Sequence, residues 1–391
     1  MDCPRAPLLV VLAALGCAEP PPSAEPPPDI AAVIDPIVAP RIGADALGEL
    51  DRCPAAVVAV VTPAGTAVRG YGAMVAGGTQ APDPDTLFQI GSISKVYTGL
   101  VLARLVADGQ LAIDGVALDA GGADLRAAMP GATFSLADLV THRAGFPTMP
   151  ANLIDRDGDG APDPGADPLS PGRGYSRADL RAGITGLPLD TAGSFRYSNL
   201  GLGLLAVIVQ DHLGLASFDA VLAAQLAPLG ATSTWGNVAA IPADAQARVV
   251  QGYALRAGQR VAGHPAEMGV LAGAGEVMTS GRDAARVLAA LAGQAPGPLD
   301  PAIALAIAPL APSGMAGVDM GYALEVRHEA SGDRYTKAGE TPSFTAQLSF
   351  HRSPPVGAYV MTACGGFTGA RELALAIDDA LVAWVAAGGA R

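Results

Sequence analysis

The sequence has little positive charge and few charged residues of any kind. Its 391 residues include 24 Lys and Arg against 37 Asp and Glu, a net charge of −13. Nucleic-acid binding depends on cations that neutralise phosphates, so this balance argues against a nucleic-acid partner. Half of the residues are hydrophobic, which is enough for a sizeable core in one large domain or two small ones.

Several motifs that identify common enzyme classes are absent. The sequence contains no internal repeat, no phosphate-binding P-loop and no G-x-G-x-x-G dinucleotide fingerprint. It also lacks a G-x-S-x-G nucleophile elbow, which weighs against an α/β-hydrolase. Its histidines show no metal-ligand spacing, so neither a zinc site nor an organic cofactor is implied. They are His142, His212, His264, His328 and His351.

The N-terminus reads as an export signal followed by an extended tether. Arg5 precedes the apolar run 7–16, which is too short to span a bilayer as a mature helix. Cys17 ends a stretch that resembles a bacterial lipobox, so we expect cleavage after the signal peptide 1–16 and a lipid on Cys17. The Pro-rich residues 17–40 would form an unpacked tether. The protein would then face the periplasm or the cell surface; the alternative is ordinary secretion with a stray cysteine.

The most informative segment is Ser92-Ile93-Ser94-Lys95. In a helix, residues three apart lie on one face, so this spacing places a hydroxyl beside an amine. Serine is a poor nucleophile until a neighbour takes its proton, and a lysine can do so once burial or other cations lower its pKa. A serine at a helix start also has free backbone N–H groups nearby, which favour a developing negative charge.

Two further motifs lie downstream, at residues 197–199 (Tyr-Ser-Asn) and 337–339 (Lys-Ala-Gly). In order, spacing and flanking sequence, the three motifs resemble the active-site motifs of serine β-lactamases and penicillin-binding proteins. The Tyr-x-Asn form is similar to the branch that contains class C β-lactamases, DD-peptidases and related esterases. The resemblance covers roughly residues 45–385. Three supporting segments also resemble the family: 138–147, 226–232 and 272–283.

The resemblance implies an α/β fold of the β-lactamase and transpeptidase type, with an antiparallel five-stranded sheet flanked by helices and an inserted, mostly α-helical lobe. The domain would span residues 41–391. Its body would comprise about 41–105 and 315–391, and its lobe about 106–314. A short N-terminal helix is predicted over 44–52. The catalytic motifs would meet at the junction of body and lobe, where clefts commonly form.

The resemblance also implies a role for each residue at a motif position. Ser92 would attack a carbonyl to form an acyl-enzyme, and Lys95 would help to deprotonate it. Tyr197 would be the partner acid or base, provided that nearby ammonium groups lower its pKa. Asn199 would orient Lys95, and Lys337 would add positive potential beside Tyr197.

The third motif departs from the family pattern. The oxyanion hole would come from the backbone N–H groups of Ser92 and Glu340, with Ala338 and Gly339 lining the substrate site. The family often has threonine at the position of Ala338, and that hydroxyl helps to hold the carboxylate of a β-lactam or of a D-Ala-D-Ala end. Its loss, together with a Glu340 carboxylate if it points inward, would disfavour such anions. We therefore expect hydrolysis of esters, or of amides without a terminal carboxylate, and weak β-lactamase activity.

The sequence leaves other functions open. A D-Ala-D-Ala carboxypeptidase or β-lactamase would act on peptidoglycan-type or other small acyl substrates. A non-catalytic, penicillin-binding-like sensor and a structural surface lipoprotein are further alternatives. The complete motifs argue against both, because a retired site usually loses its serine or lysine.

Export leaves two cysteines for the mature domain. Cys3 leaves with the signal and Cys17 would carry lipid, so Cys53 and Cys364 remain in an oxidising compartment. In the family fold, the first and last strands are antiparallel neighbours. The start of one then faces the end of the other, which would allow a disulfide between Cys53 and Cys364. The alternative is two free buried thiols.

An acidic segment outside the three motifs resembles the first half of an EF-hand calcium loop. It carries acidic residues at the spacing of calcium ligands, followed by turn glycines, although the twelfth position is Ala166 rather than glutamate. The segment is either a structural calcium site, in an enzyme that requires no other cofactor, or an acidic surface loop. In both cases it could border the cleft. The candidate ligands are Asp155, Asp157, Asp159 and Asp163.

Overall fold

The computed structural model describes residues 30–294 and 296–389. The strands in these ranges are β1 (Ala55–Thr62), β2 (Gly65–Gly72), β3 (Leu87–Gln89), β4 (Thr234–Trp235), β5 (Tyr253–Arg256), β6 (Gln259–Ala262), β7 (Met278–Ser280), β8 (Ala311–Pro312), β9 (Val318–Met320), β10 (Glu325–Glu329), β11 (Gly332–Thr341), β12 (Phe344–Arg352) and β13 (Pro355–Thr362). The α-helices are α1 (Ile30–Val38), α2 (Ser94–Ala107), α3 (Ala123–Ala128), α4 (Leu136–Val140), α5 (Arg177–Ile184), α6 (Asn199–Leu213), α7 (Phe218–Gln225), α8 (Ala243–Gln246), α9 (Gly281–Ala292), α10 (Asp300–Ile307) and α11 (Gly369–Ala386).

The main sheet has eight antiparallel strands in the order β2-β1-β13-β12-β11-β10-β9-β8. Strand β1 is an uninterrupted apolar run that is buried at every residue, as expected for a strand covered on both faces. The prediction of an antiparallel sheet flanked by helices is confirmed. The predicted number of five strands is wrong, because β10, β9 and β8 extend the sheet beyond β11.

Helices cover both faces of this sheet. A Cβ placed on Gly281, at the start of α9, would lie 2.8 Å from a methyl group of Val68. The next residue, Arg69, forms an ion pair of 2.8 Å with Asp35 of α1. Adjacent residues of a strand point to opposite faces, so α9 and α1 lie on opposite sides of the sheet. Helix α9 therefore belongs to the body, and the predicted lobe range of 106–314 is wrong at this helix.

The folded domain begins earlier than predicted. Helix α1 has Ile30, Ile34 and Val38 at four-residue spacing, and all three are buried where the helix packs on α11. The tether predicted to extend to residue 40 is therefore too long. The predicted signal peptide, the lipidation site Cys17 and the first part of the tether lie outside the described residues.

A disulfide closes the end of the sheet that adjoins the site. Cys53 precedes β1 and Cys364 follows β13, and the pairing of the two strands brings their Cα atoms to 6.0 Å. Of the two alternatives, the structure contains the bridge rather than free thiols. The helix predicted over 44–52 is wrong, because only a 3-10 turn, Ala46–Gly48, forms there.

Helix α6 is the centre of the helical lobe. The Ser198 side chain accepts a hydrogen bond from the Gly201 N–H at 2.8 Å and so caps the helix start, and Gly214 ends the helix with a φ of +64°. This cap fixes the position of Asn199, the first residue of α6. Within the described part of the chain, no single helix has both the length and the hydropathy of a membrane span, although the bent pair α6 and α7 meets that test when counted together.

Candidate active site

The first motif lies where a short buried strand leads into a buried helix. Strand β3 is followed by a 3-10 turn, Gly91–Ile93, which holds Ser92 directly before α2. Gly91 has a φ of +51°, and a Cβ on it would lie 2.5 Å from the backbone nitrogen of Glu340. Only glycine permits this backbone conformation and this close approach without strain. The turn therefore presses Ser92 against β11, which carries the third motif.

The Ser92 hydroxyl meets two predicted partners from different parts of the chain. The Tyr197 phenol donates a hydrogen bond to Ser92 Oγ at 2.6 Å. Lys95 Nζ lies 3.0 Å from the same oxygen. The structure thus brings the serine, the lysine and the tyrosine of two separate motifs to one point.

Lys95 is completely buried and has three polar neighbours. Its Nζ lies 2.6 Å from Asn199 Oδ1 and 2.5 Å from the carbonyl oxygen of Ala274, in addition to Ser92. Burial lowers the Lys95 pKa well below its usual range, and the charge of Lys337 lowers it further. A neutral amine has two N–H donors and one lone pair, which matches two acceptors and one serine hydroxyl. The site therefore favours the form of Lys95 that can accept the Ser92 proton.

Burial rather than neighbouring charge controls the pKa of Tyr197. Burial raises the pKa of Tyr197 to about 12, although the hydrogen bond with Ser92 acts in the opposite direction. Lys95 Nζ and Lys337 Nζ lie 4.9 Å and 5.1 Å from the centre of its ring. The condition set for this role, a pKa lowered by nearby ammonium groups, is not met, because burial raises the pKa instead. In the resting site Tyr197 is a neutral phenol that donates a hydrogen bond to Ser92.

Lys337 lies on β11 beside this group and is also buried. Burial lowers the Lys337 pKa to about 8, while the nearby carboxylate of Glu325 acts to raise it. At neutral pH it therefore still favours the ammonium form, which supplies positive potential at the face of the Tyr197 ring.

His142 packs against the other members of the site without touching Ser92. Its ring centroid is 4.6 Å from that of Tyr197, and its Nδ1 accepts the backbone N–H of Ser198 at 3.1 Å. Burial lowers the His142 pKa well below its usual range, with a further contribution from Lys337. A neutral histidine whose Nδ1 accepts a backbone N–H therefore holds the second motif in place.

A cavity of about 640 Å³ opens over Ser92. The predicted site residues that line it are Ser92, Tyr197, Lys337, Ala338, Gly339 and Glu340. The Glu340 carboxylate accepts the N–H of Gly366 at 3.2 Å, which fixes it at the wall rather than at Ser92. Among the described residues, none from the acidic segment 155–163 lines the cavity, so the expectation that this segment borders the cleft is wrong.

Two features of the site escaped the sequence reasoning. Arg371, in the first turn of α11, lines the cavity and adds a cation. It is the sole basic residue of that helix, a signal that the sequence offered. The other feature is the carbonyl of Ala274, which had no sequence signal because every residue carries a backbone carbonyl.

Three of the four candidate calcium ligands in the acidic segment lie close together. Ligand atoms of Asp155, Asp157 and Asp159 lie within 4.8 Å of one another. Asp163 lies outside this group; its carboxylate accepts the backbone N–H of Arg156 at 3.0 Å. Carboxylate oxygens suit calcium, but the predicted set of four ligands is not brought together.

The sheet and its flanking helices, with a helical lobe and the motifs at their junction, define the β-lactamase and transpeptidase-like fold. The family model described as Beta-lactamase matches residues 44–382, and the chain belongs to this family. A comparison with curated proteins finds no match.

Solved structures show the same fold over almost their entire length. A class C β-lactamase from Rhodobacter sphaeroides is 20% identical with a TM-score of 0.69, covering 92% of this chain and 99% of its own. A β-lactamase from Sulfitobacter sp. EE-36 is 21% identical with a TM-score of 0.70, covering 93% and 100%. A β-lactamase/D-alanine carboxypeptidase from Pseudomonas syringae is 21% identical with a TM-score of 0.69, covering 89% and 98%.

Proposed function

We propose that the protein is an exported serine hydrolase that acts through an acyl-enzyme on Ser92. The observation that carries this proposal is the convergence of Lys95 Nζ and the Tyr197 hydroxyl on Ser92 Oγ, at 3.0 Å and 2.6 Å. Nucleophilic serines need a neighbouring base, and proton transfer to the leaving group needs a neighbouring acid. Both groups are neutral: the deprotonated Lys95 amine is the base, and the protonated Tyr197 phenol is the acid.

In the proposed reaction, Ser92 Oγ attacks the substrate carbonyl while the neutral Lys95 amine takes its proton. Tyr197 gives its phenolic proton to the leaving group as the bond to that group breaks, and it regains a proton from the Lys95 ammonium. Water then attacks the acyl-enzyme, its proton returns to Ser92 through the same groups, and the acid is released. The backbone N–H groups of Ser92 and Glu340 would stabilise the oxyanion in both steps.

We propose esters, and amides without a terminal carboxylate, as the preferred substrates. Ala338 lines the cavity with a methyl group at the position where the family often has a threonine hydroxyl. A substrate whose carboxylate needs that hydrogen bond binds less well when the donor is missing. The site therefore loses its preference for such substrates. The enzyme would therefore be a weak β-lactamase.

A second candidate is a D-Ala-D-Ala carboxypeptidase. The observation that favours it is the position of Arg371, which lines the cavity opened over Ser92. An arginine there could pair with the terminal carboxylate of a peptidoglycan peptide and offset the loss of the threonine. A guanidinium also binds a carboxylate more specifically than a lysine does.

Export and lipid attachment belong to the same proposal. The Cys53–Cys364 disulfide supports an oxidising compartment, because such bridges are rare in the cytosol. A lipid on Cys17 would anchor the enzyme to a membrane, with the remaining tether as the spacer. Mass analysis of the mature N-terminus tests this part independently of catalysis.

Substrate preference is tested by comparing turnover of a p-nitrophenyl ester, the β-lactam nitrocefin and a D-Ala-D-Ala peptide. We expect efficient ester hydrolysis, weak nitrocefin hydrolysis and no activity in Ser92→Ala. Efficient nitrocefin or peptide hydrolysis would overturn the proposed preference, and efficient peptide hydrolysis would favour the second candidate. An inactive wild type that also fails to label with a fluorophosphonate would overturn the hydrolase itself.

A further inference from the structure

Glu276 is a buried carboxylate that the proposed reaction does not use. Its side chain is 3% exposed, and it lies two residues after Ala274. Burial raises the Glu276 pKa to about 7, against hydrogen bonds that lower it. Burying a carboxylate is costly, so a native structure that keeps one gives it strong hydrogen-bond donors.

Both carboxylate oxygens of Glu276 accept backbone N–H groups. One oxygen accepts from Met268 at 2.7 Å, and the other accepts from Val238 at 2.8 Å. The backbone N–H of Glu276 donates to the carbonyl of Ala272 at 2.9 Å. Met268 precedes the 3-10 segment Gly269–Ala274, so the Glu276 side chain links the two ends of this segment. Its hydrogen bond with Val238 links the segment to a second loop.

The turn closed in this way carries the carbonyl that holds Lys95. The oxygen of Ala274 lies 2.5 Å from Lys95 Nζ, and Nζ in turn lies 3.0 Å from Ser92 Oγ. The turn cannot move freely on its other side, because a Cβ on Gly273 would lie 2.4 Å from the side chain of Ala206. A small displacement of the Ala274 carbonyl would therefore change the position of Lys95 Nζ relative to Ser92 Oγ.

We propose that Glu276 is a positioning residue: its buried carboxylate fixes the turn whose Ala274 carbonyl holds Lys95 against Ser92. This inference rests on the proposed function, because it concerns the base of that reaction. Glu276 hydrogen-bonds to neither Ser92 nor Lys95 and does not line the cavity, so its effect reaches Lys95 through the backbone.

The variant that tests this role is Glu276→Gln, which keeps the size of the side chain but replaces one acceptor oxygen by a donor. Asp283→Asn is the matched control. Asp283 is also a buried carboxylate that accepts a backbone N–H, from Ser233 at 2.6 Å, but it has no hydrogen bond to the turn that holds Lys95. Both variants lose a buried charge and a backbone acceptor.

We expect E276Q to lower kcat by about tenfold or more with KM within about threefold, and D283N to leave kcat of the folded enzyme nearly unchanged. The acid limb of kcat/KM should also move to lower pH in E276Q, because the Lys95 ammonium loses a well-placed acceptor and charge-assisted bonds are the stronger ones. The titratable groups near Lys95 are Tyr197, Lys337 and His142. The titratable group near Glu276 is Glu267. All four are unchanged in E276Q.

Rates are divided by the amount of enzyme that a fluorophosphonate labels at Ser92, so a loss of folded protein does not count as a loss of catalysis. If E276Q does not fold, Glu276→Asp, which keeps the charge but shortens its reach, is measured in the same way. Equal kcat and an unmoved acid limb in the folded variant would overturn the positioning role. A wild type that is not labelled at Ser92 would instead overturn the proposed function.

Discussion

Lys95 Nζ lies 3.0 Å from Ser92 Oγ, and Lys95 itself has no exposed surface. Burial of this kind drives the amine towards its neutral form, in which it can take a proton. The same burial keeps Tyr197 protonated, with its pKa raised to about 12. One physical effect therefore prepares both the proposed base and the proposed acid.

Replacing Lys95 tests the base. We expect Lys95→Met to lower the rate of Ser92 acylation by roughly 10²–10⁴, the usual contribution of a positioned general base. Single-turnover labelling with a p-nitrophenyl ester measures this rate directly. Acylation at an unchanged rate would show that another group activates the serine.

Replacing Tyr197 tests the acid through the choice of leaving group. Tyr197→Phe should lower kcat/KM for an alkyl ester by roughly 10²–10⁴, because an alkoxide needs a proton to leave. A p-nitrophenolate leaves without one, so the loss for the p-nitrophenyl ester should be much smaller. Equal losses for the two esters would exclude proton donation as the main role of the phenol.

Lys337, in the third motif, should lower the free energy of unfolding at neutral pH. The folded pKa of Lys337, about 8, lies below its unfolded value of 10.5. Between these values the unfolded chain binds more protons, so the free energy of unfolding rises with pH, by up to roughly 3 kcal/mol for this group. Urea unfolding should show Lys337→Met to be more stable than wild type below about pH 8, with the difference shrinking towards higher pH. A difference independent of pH would contradict this account.

The disulfide should stabilise the fold measurably. Removing Cys53–Cys364 by a double substitution to serine should lower the free energy of unfolding by roughly 2–5 kcal/mol, as for other native bridges. Urea unfolding measures the change, and wild type treated with a reductant should match the variant. Identical stability with and without the bridge would show that the strand pairing alone holds this end of the sheet.

Catalysis should not depend on a metal ion. Within the described residues, the acidic segment 155–163 has no residue in the cavity, and the proposed proton transfers use only side chains and backbone groups. A chelator should therefore leave kcat for ester hydrolysis unchanged. Melting curves recorded with and without the chelator decide separately whether the segment binds calcium, and a loss of kcat would contradict the proposed mechanism.

The sequence indicated the antiparallel sheet with flanking helices and the residues that meet at Ser92, because both follow from motifs that can be read along the chain. Strand β1 is apolar up to Thr62, and the spacing of Ser92 and Lys95 places their side chains together at the start of α2. The number of strands was not predictable, because β8 and β9 are two and three residues long and join the sheet only through tertiary pairing. Helix α1 was missed because prolines on both sides of it indicated an extended chain.

Ionisation states in the site could not be read from the sequence. Tyr197 stands near two lysines, which would lower its pKa if charge alone decided it. Burial decides instead, and burial depends on which elements pack over the site. For the same reason, nothing in the sequence indicated that Glu276 reaches back to Met268 across a turn.

In the proposed mechanism, Ser92 becomes acylated because the buried Lys95 takes its proton. The most direct measurement is intact-mass analysis, with peptide mapping, of wild type, Ser92→Ala and Lys95→Met after brief exposure to an activated ester. We expect one acyl group on Ser92 in wild type, none in Ser92→Ala and slow labelling in Lys95→Met. An acyl group on any other residue, or equal labelling of all three proteins, would contradict the account.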